Sequence, residues 1–381
     1  MAGIYIHIPF CKQACHYCNF HFSTNFSPYK TAMVNALQRE IILQADFFGT
    51  THKELDSVYF GGGTPSLLSP TEHLTIWETL LSKFKLKPGA EITFEANPDD
   101  MSEEWLKHLR DTPVNRLSIG IQSFHEEDLK YLHRAHSGKE ARTAVEKALR
   151  AGITQISSDL IFGIPSSGKE RLERDARLLA QLGVDHISVY GLTVEPQTAL
   201  EKMIHSVKRT AVDEEKSATE MELIMDLLPS LGLEQYEISN FAAPGHEAVH
   251  NSNYWDGKPY LGIGPSAHSF KENVRSWNIS NNAAYIKRIH QNELPSKQEV
   301  LSKNDRYNEV VMTQLRTRKG LDATYIYDHF GTDFGQHLEK ELAVFLEHGE
   351  VIVTDNIFRL TPSGRLKADY ITQQLFLVHE S

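Results

Sequence analysis

Between residues 4 and 241, short runs of β-branched and aromatic residues alternate with longer stretches whose apolar residues recur at helical spacing. The runs fall at 4–7, 55–60, 91–95, 116–122, 155–162 and 186–192. Between the first two, Met33, Val34, Leu37, Ile41, Ala45 and Phe48 form one apolar face for packing onto a sheet. Further amphipathic stretches occupy 72–84, 138–151, 169–182 and 213–231. Parallel neighbours cannot be joined by hairpins, so this rhythm predicts a parallel sheet with crossover helices. The expected fold is α/β, a partial (β/α)6 barrel of TIM type, whose functional loops gather at the carboxyl ends of the strands.

The texture changes after residue 242. Pro244-Gly245-His246 through Tyr260-Leu261-Gly262-Ile263-Gly264-Pro265 show little helical periodicity, which predicts a structured connecting loop region over 242–304. From Asp305, helical patterns near 305–316, 322–329 and 333–348 precede two short strands, 351–354 and 357–360, joined at Asp355-Asn356. Helices closed by a small hairpin predict a winged-helix-like C-terminal domain over 305–381, after a barrel over 1–241.

The 381 residues are 40% hydrophobic and 23% charged, a composition for folded domains rather than extended disorder. A net charge of -11 provides no general attraction for phosphate backbones. Residues 301–381 hold nine Lys+Arg against twelve Asp+Glu, so nucleic-acid binding is not expected. No run of 18 apolar residues predicts a membrane-spanning helix. The N-terminal stretch lacks the basic and apolar regions of a secretory signal, so the cytoplasm is the expected compartment, with membrane contact only through partners. The three cysteines, Cys11, Cys15 and Cys18, lie within eight residues, a spacing for a soft metal centre rather than a disulfide framework.

Cys11-x3-Cys15-x2-Cys18 directly follows the first strand. On a 4Fe-4S cluster, three thiolates leave one iron open to a chelating small molecule. On zinc, His16 or His21 would close the site. The second strand ends in Gly61-Gly62-Gly63-Thr64-Pro65, where bare backbone can approach a polar ligand. On successive strands, and with Tyr5-Ile6-His7-Ile8-Pro9-Phe10 ahead of the first cysteine, these motifs resemble the radical S-adenosylmethionine (SAM) superfamily. Within it they resemble the branch of oxygen-independent coproporphyrinogen III oxidase (HemN) and the heme chaperone HemW.

The resemblance runs along almost the whole chain. Glu95 in Glu-Ala-Asn-Pro closes the third run, Gln122 in Ile-Gly-Ile-Gln-Ser-Phe the fourth, Asp159 lies on the fifth, and Arg134 follows Gln122 by twelve residues. It implies a radical SAM barrel with a 4Fe-4S cluster on Cys11, Cys15 and Cys18. It also implies a SAM site formed by Tyr5, Tyr17, Gly62, Gly63, Thr64, Glu95, Gln122, Arg134 and Asp159. The residue types suit that ligand, which carries a sulfonium, an ammonium, a carboxylate and a ribose diol. Glu95 and Asp159 can accept from the ammonium or ribose hydroxyls, Gln122 can serve the ribose, and the fork of Arg134 suits a carboxylate.

Two departures separate the chain from the oxidase pattern: Phe20 stands where the oxidases carry a further cysteine, and the first cysteine is already residue 11. His250-Asn251-Ser252-Asn253-Tyr254-Trp255 instead matches the His-Asn-x-x-Tyr-Trp motif of the heme-chaperone members. An imidazole can ligate heme iron, and Tyr254 and Trp255 offer flat apolar faces to a porphyrin. His246 and His268 are rival ligands. The resemblance thus implies a heme carrier serving respiratory heme proteins, in homodimeric form, without porphyrinogen oxidase activity. Oxidative decarboxylation of porphyrinogen propionates is the alternative, and a zinc-binding nucleic-acid module is a third reading.

Overall fold

The structure is a computed structural model that describes residues 2–49 and 54–378. Met1 and residues 379–381, the outer limits of the expected first and last domains, lie outside them.

Six strands pair in parallel and in sequence order: β1 (Gly3–Ile8), β2 (Glu54–Gly62), β3 (Lys85–Ala96), β4 (Arg116–Gln122), β5 (Gln155–Phe162) and β6 (His186–Gly191). Helix α1 (Lys30–Leu43) joins β1 to β2, α2 (Pro70–Lys83) joins β2 to β3, and α3 (Glu103–Arg110) joins β3 to β4. Then α4 (Glu126–Leu132) and α5 (Gly138–Arg150) lead to β5, α6 (Lys169–Gln181) leads to β6, and α7 (Ala199–His205) and α8 (Glu214–Ser230) follow. Two of these helices begin at capping boxes, in which Ser69 and Ser137 exchange hydrogen bonds with Glu72 and Glu140 three residues on. The expected α/β alternation is present.

Side chains alternate across each strand. On one face, Ile4, Ile6, Ile8, Phe60, Phe94 and Leu117 are buried in a single apolar core beneath the helices. The other face carries polar groups, among them Tyr5, Tyr59, Glu95, Arg116, Asp159 and His186, and lines a cavity of about 1620 Å³. A closed TIM barrel fills this space with layers of branched apolar side chains. Here polar residues leave it hollow.

The expectation of loops over 242–304 is corrected by the structure. After β7 (Glu234–Gln235) and β8 (Asn240–Ala242), which extend the β6 edge antiparallel, the chain forms α9 (Val249–Trp255) and then β9 (Tyr260–Ile263), parallel to β1. Strands β10 (His268–Lys271), β11 (Val274–Asn278) and β12 (Ser296–Val300) continue that edge antiparallel, with α10 (Asn282–His290) between the last two. Elements this short carry too few repeats for a period to show.

The C-terminal unit comprises α11 (Lys303–Leu315), β13 (Leu321–Asp322), α12 (Ala323–Phe330), α13 (Thr332–Glu347), β14 (Val351–Thr354) and β15 (Ile357–Leu360) around its own core. Its sheet order β13-β15-β14 behind three helices is a winged-helix arrangement. Two short helices follow, α14 (Pro362–Arg365) and α15 (Ala368–Gln374). The unit is tied to the β7 edge, where Arg318 N–H donates to Tyr236 O at 2.9 Å and Arg365 Nη1 to Gln235 Oε1 at 2.6 Å. Residues 365–370 complete one wall of the cavity. Among the described residues, no helix is long and apolar enough to cross a membrane.

The added strands are locked to α1 by Glu40, which is fully buried. Its carboxylate accepts from Gly264 N–H at 2.7 Å, Asn278 Nδ2 at 2.7 Å and Tyr285 OH at 2.5 Å. Glu40→Gln turns one acceptor into a donor facing donors, which costs about 1–3 kcal/mol and is expected to lower the melting temperature by several degrees. Burial pushes the Glu40 carboxyl up to about 7. A raised carboxyl favours the fold when protonated, so the wild-type advantage shrinks as pH rises from 5 to 8. Equal melting temperatures across that range contradict this account of Glu40.

Candidate functional site

The cysteine loop leaves β1 at its carboxyl end and is sutured down on both sides. Cys11 N–H donates to Ser23 O at 3.1 Å, and Ser23 N–H returns to Pro9 O at 2.9 Å. His16 N–H reaches Leu132 O at the end of α4, while Leu200 N–H at the start of α7 reaches His16 O. His133, held in the left-handed region at φ 60°, places its Nδ1 2.7 Å from Ala14 O. The loop is therefore shaped by protein contacts before any ligand enters.

Thr64 Oγ1 donates to Cys11 Sγ at 3.6 Å, and Arg134 Nη1 to Cys15 Sγ at 3.3 Å. Burial pushes the thiol of Cys11 up to about 12 and that of Cys18 up to about 11. Their thiolates thus need strong cationic company, which iron provides. The two candidate fourth ligands of a zinc site are engaged elsewhere. His16 Nδ1 lies 3.2 Å from Tyr131 O with its ring stacked on His133, and His21 Nε2 lies 2.7 Å from Asn282 Oδ1. Among the described residues, no three His, Cys, Asp or Glu side chains converge on one metal ion. A cluster in which each cysteine serves a different iron requires no such convergence, so the donor set fits the cluster.

The glycines at the end of β2 answer first to packing. Gly62 has φ 106°, and a Cβ on it would collide with the His7 imidazole, while one on Gly63 would sit 2.6 Å from Phe10 O. They let the end of β2 pass against the strand that launches the cysteine loop, with Gly63 N–H donating to Ile8 O at 2.9 Å. Arg134 is likewise occupied. Besides Cys15, its guanidinium reaches Asn97 Oδ1 at 2.7 Å and Gly120 O at 2.8 Å, and Asn97 Nδ2 reaches Thr64 Oγ1 at 3.2 Å. Both Nη groups are engaged, while Nε is buried without a hydrogen-bond partner, so the side chain braces the cysteine loop and keeps one donor unspent.

The cavity does bring together Tyr5, Tyr17, Glu95, Gln122, Asp159 and Cys18, while Gly62, Gly63, Thr64 and Arg134 are not part of its lining. Glu95 accepts from Tyr59 OH at 2.7 Å and Gly62 N–H at 3.2 Å. Burial, reinforced by the Asp159 charge, pushes its carboxyl up to about 7. Asp159 is pushed up to about 6 by burial. Two acids with strained ionisation facing one space suit a ligand with a sulfonium and an ammonium, so these residues fit SAM. Gln122 closes β4 at φ 69°, in the left-handed region, which turns its amide to the cavity past a register shift between β4 and β5.

The His-Asn-x-x-Tyr-Trp segment forms α9, whose first N–H groups, on Val249 and His250, both donate to Glu91 at 2.8 Å. His250 is 3% exposed, with Nδ1 2.8 Å from Ser57 Oγ and Nε2 2.9 Å from Tyr254 OH. Burial, then the Arg116 charge, lowers its pKa to about 3, so it is neutral. His250 and Tyr254 line the cavity; Trp255 does not, and lies under the Arg316 guanidinium at 5.9 Å. Of the rival histidines, His246 pairs with Asp185 at 2.6 Å and His268 stacks on Trp277. Sequence reasoning missed Tyr59, Asn97 and Arg116, although Tyr59 and Arg116 share the inward parity of their strands.

Residues 5–179 match the model of the radical SAM superfamily, and residues 301–366 match that of the HemN C-terminal domain. A protein named heme chaperone HemW from Bacillus subtilis is 33% identical over 96% of this chain and 97% of its own length. One of the same name from Mycobacterium tuberculosis is 33% identical over 98% and 94%, and one from Escherichia coli 36% identical over 70% and 69%. Among solved structures, the coproporphyrinogen III oxidase HemN of Escherichia coli superposes with a TM-score of 0.85 at 23% identity, covering 98% of this chain and 90% of that one.

Glu95 gives a testable pH dependence. Its raised carboxyl must ionise to hold a cation, so SAM affinity is expected to rise as pH climbs from 5 to 8, measured by anaerobic calorimetry. Glu95→Gln is expected to lower affinity about tenfold at pH 8 and to flatten the rise, consistent with the loss of one charged hydrogen bond. A flat wild-type profile contradicts the assignment.

Proposed function

Because this chain belongs to the radical SAM superfamily, and within it to the family of proteins named heme chaperone HemW, we propose that it binds heme and passes it to respiratory heme proteins. The observation that carries the reading is the near full-length likeness to the Bacillus and Mycobacterium proteins of that name. The likeness to the oxidase concerns the fold. We place the carrier in the cytoplasm as a homodimer that meets membrane-bound acceptors through partners.

The cavity supports the reading by its size and its walls. Sites for single small ligands measure about 300–1,000 Å³, whereas this one measures about 1620 Å³. It has room for a tetrapyrrole beside SAM. In the proposal, Cys11, Cys15 and Cys18 hold the 4Fe-4S cluster, and Glu95, Asp159 and Gln122 with Tyr5 and Tyr17 hold SAM. Gly62, Gly63, Thr64 and Arg134 shape the loop above. When bound, the cluster and SAM supply one-electron redox chemistry; the protein positions them and excludes water.

His250 is the proposed iron ligand, with Tyr254 beside it and Trp255 bracing α9. Its imidazole is neutral and so ready to coordinate, but Nε2 must first part from the Tyr254 hydroxyl. Anaerobic hemin titration is therefore expected to give a saturable Soret shift that His250→Ala weakens at least tenfold. Tyr254→Phe, which removes the competitor for Nε2, is expected to leave binding equal or tighter. An unchanged titration in His250→Ala removes that residue as the ligand. Decarboxylated product from coproporphyrinogen, SAM and reductant, without saturable hemin binding, reverses the reading in favour of the oxidase.

A further inference from the structure

Among the described residues, four cations line the cavity outside the SAM reading: Arg316, Arg365 and Lys367 on the wall of the C-terminal unit, which engage Asp369, Gln235 and Glu350, and Arg116 on the strands of the barrel. Arg116, the first residue of β4, is 5% exposed, lines the cavity, and keeps Nη2 buried without a hydrogen-bond partner. Its nearest acid is Glu91, at 3.9 Å from Nε. That carboxylate is already spent on two backbone N–H groups of α9, one to each oxygen. An unsatisfied buried guanidinium group costs free energy that a ligand oxygen would recover.

The other lumen acids are too high to neutralise it by contact. Arg116 pairs in register with Thr93, two residues before Glu95 on β3, a step of about 7 Å along the strand. Glu95 and Asp159, in the upper layer, are the groups that suit the cationic parts of SAM. The remaining neighbours of Arg116 in the lumen are neutral. Ser118 lies two residues on, and His186, between Ser157 Oγ at 2.7 Å and Tyr236 OH at 2.9 Å, is held well below the usual histidine range by burial and by Arg116. A buried planar fork amid hydroxyls and neutral imidazoles is a carboxylate receptor.

We propose that Arg116 receives a carboxylate arm of the tetrapyrrole bound in the lumen. The inference rests on the heme-carrier reading and adds to it a fixed orientation: one propionate down on β4, the ring beside α9. His250 and Arg116 share Glu91, which caps the helix of one and faces the guanidinium of the other. Ring and side arm are thus positioned by a single buried carboxylate. The carboxylate of SAM carries the same chemistry, and the test separates the two sources.

The experiment titrates the cluster-reconstituted full chain with hemin, with heme dimethyl ester and, separately, with SAM, for the wild type, Arg116→Gln and Arg116→Lys. The expected result is that the wild type binds the ester roughly tenfold to a hundredfold more weakly than hemin, as for loss of a charged hydrogen bond. Arg116→Gln is expected to bind both porphyrins with that same weaker affinity and SAM as the wild type does. Arg116→Lys, with charge but no fork, is expected to fall between. The ester comparison needs no variant, so a Gln variant that fails to fold leaves the proposal testable. Equal wild-type affinity for hemin and ester overturns the proposal while the carrier reading stands. Loss of SAM binding in the Arg116 variants, with hemin binding intact, gives the carboxylate to SAM and overturns it also. Absence of saturable hemin binding in the wild type removes the carrier reading and the proposal together.

Discussion

A hollow polar lumen is the constraint on which this structure depends. Burying charged and hydroxyl groups without partners costs several kcal/mol apiece in the worst case, yet the inward faces of the parallel strands carry Glu95, Arg116 and Asp159 around one space. The fold tolerates this because its stability comes from the other face. There the isoleucines of β1 and the phenylalanines of β2 and β3 pack beneath helices in a continuous apolar core. The sheet thus separates two tasks across its thickness, cohesion outside and ligand chemistry inside.

Above the lumen, a relay of side chains connects the strand ends to the cysteine loop. Asn97 links Thr64 and Arg134, and these two touch Cys11 and Cys15. Arg134, which the motif marks as a ligand for SAM, also braces one of the sulfurs. The glycines of the second strand do the same by allowing close passage. The donor geometry is set by β2, β3 and β4 together, which explains why a loop of eight residues without regular structure can be held in one shape.

Much of this was legible in the chain. Six repeats of strand and helix predict the barrel because each unit is long enough for its period to register, and the three cysteines with Glu95, Gln122 and Asp159 mark the strand ends that face the cavity. The extension beyond β1 was illegible because β9, β10 and β11 each span five residues or fewer, and their anchor, Glu40, sits on a helix more than 200 residues away in sequence. The engagement of both Nη groups of Arg134 was equally hidden. Its role depends on Asn97 and Gly120, which come near it only when β3 and β4 lie side by side. Arg116 gave a faint signal, a charge opening an apolar strand, whose meaning appears only once its Nη2 proves buried and unpaired.

In the proposal, one cavity takes SAM in an upper compartment around Glu95 and Asp159 and the tetrapyrrole in a lower one around Arg116 and α9. Simultaneous occupancy tests that division most directly: hemin binding followed anaerobically on the cluster-loaded protein as SAM is raised to saturation. The account predicts a hemin affinity that holds within a few fold while both ligands are bound. Mutual displacement, with apparent hemin affinity falling in proportion to added SAM, would contradict it.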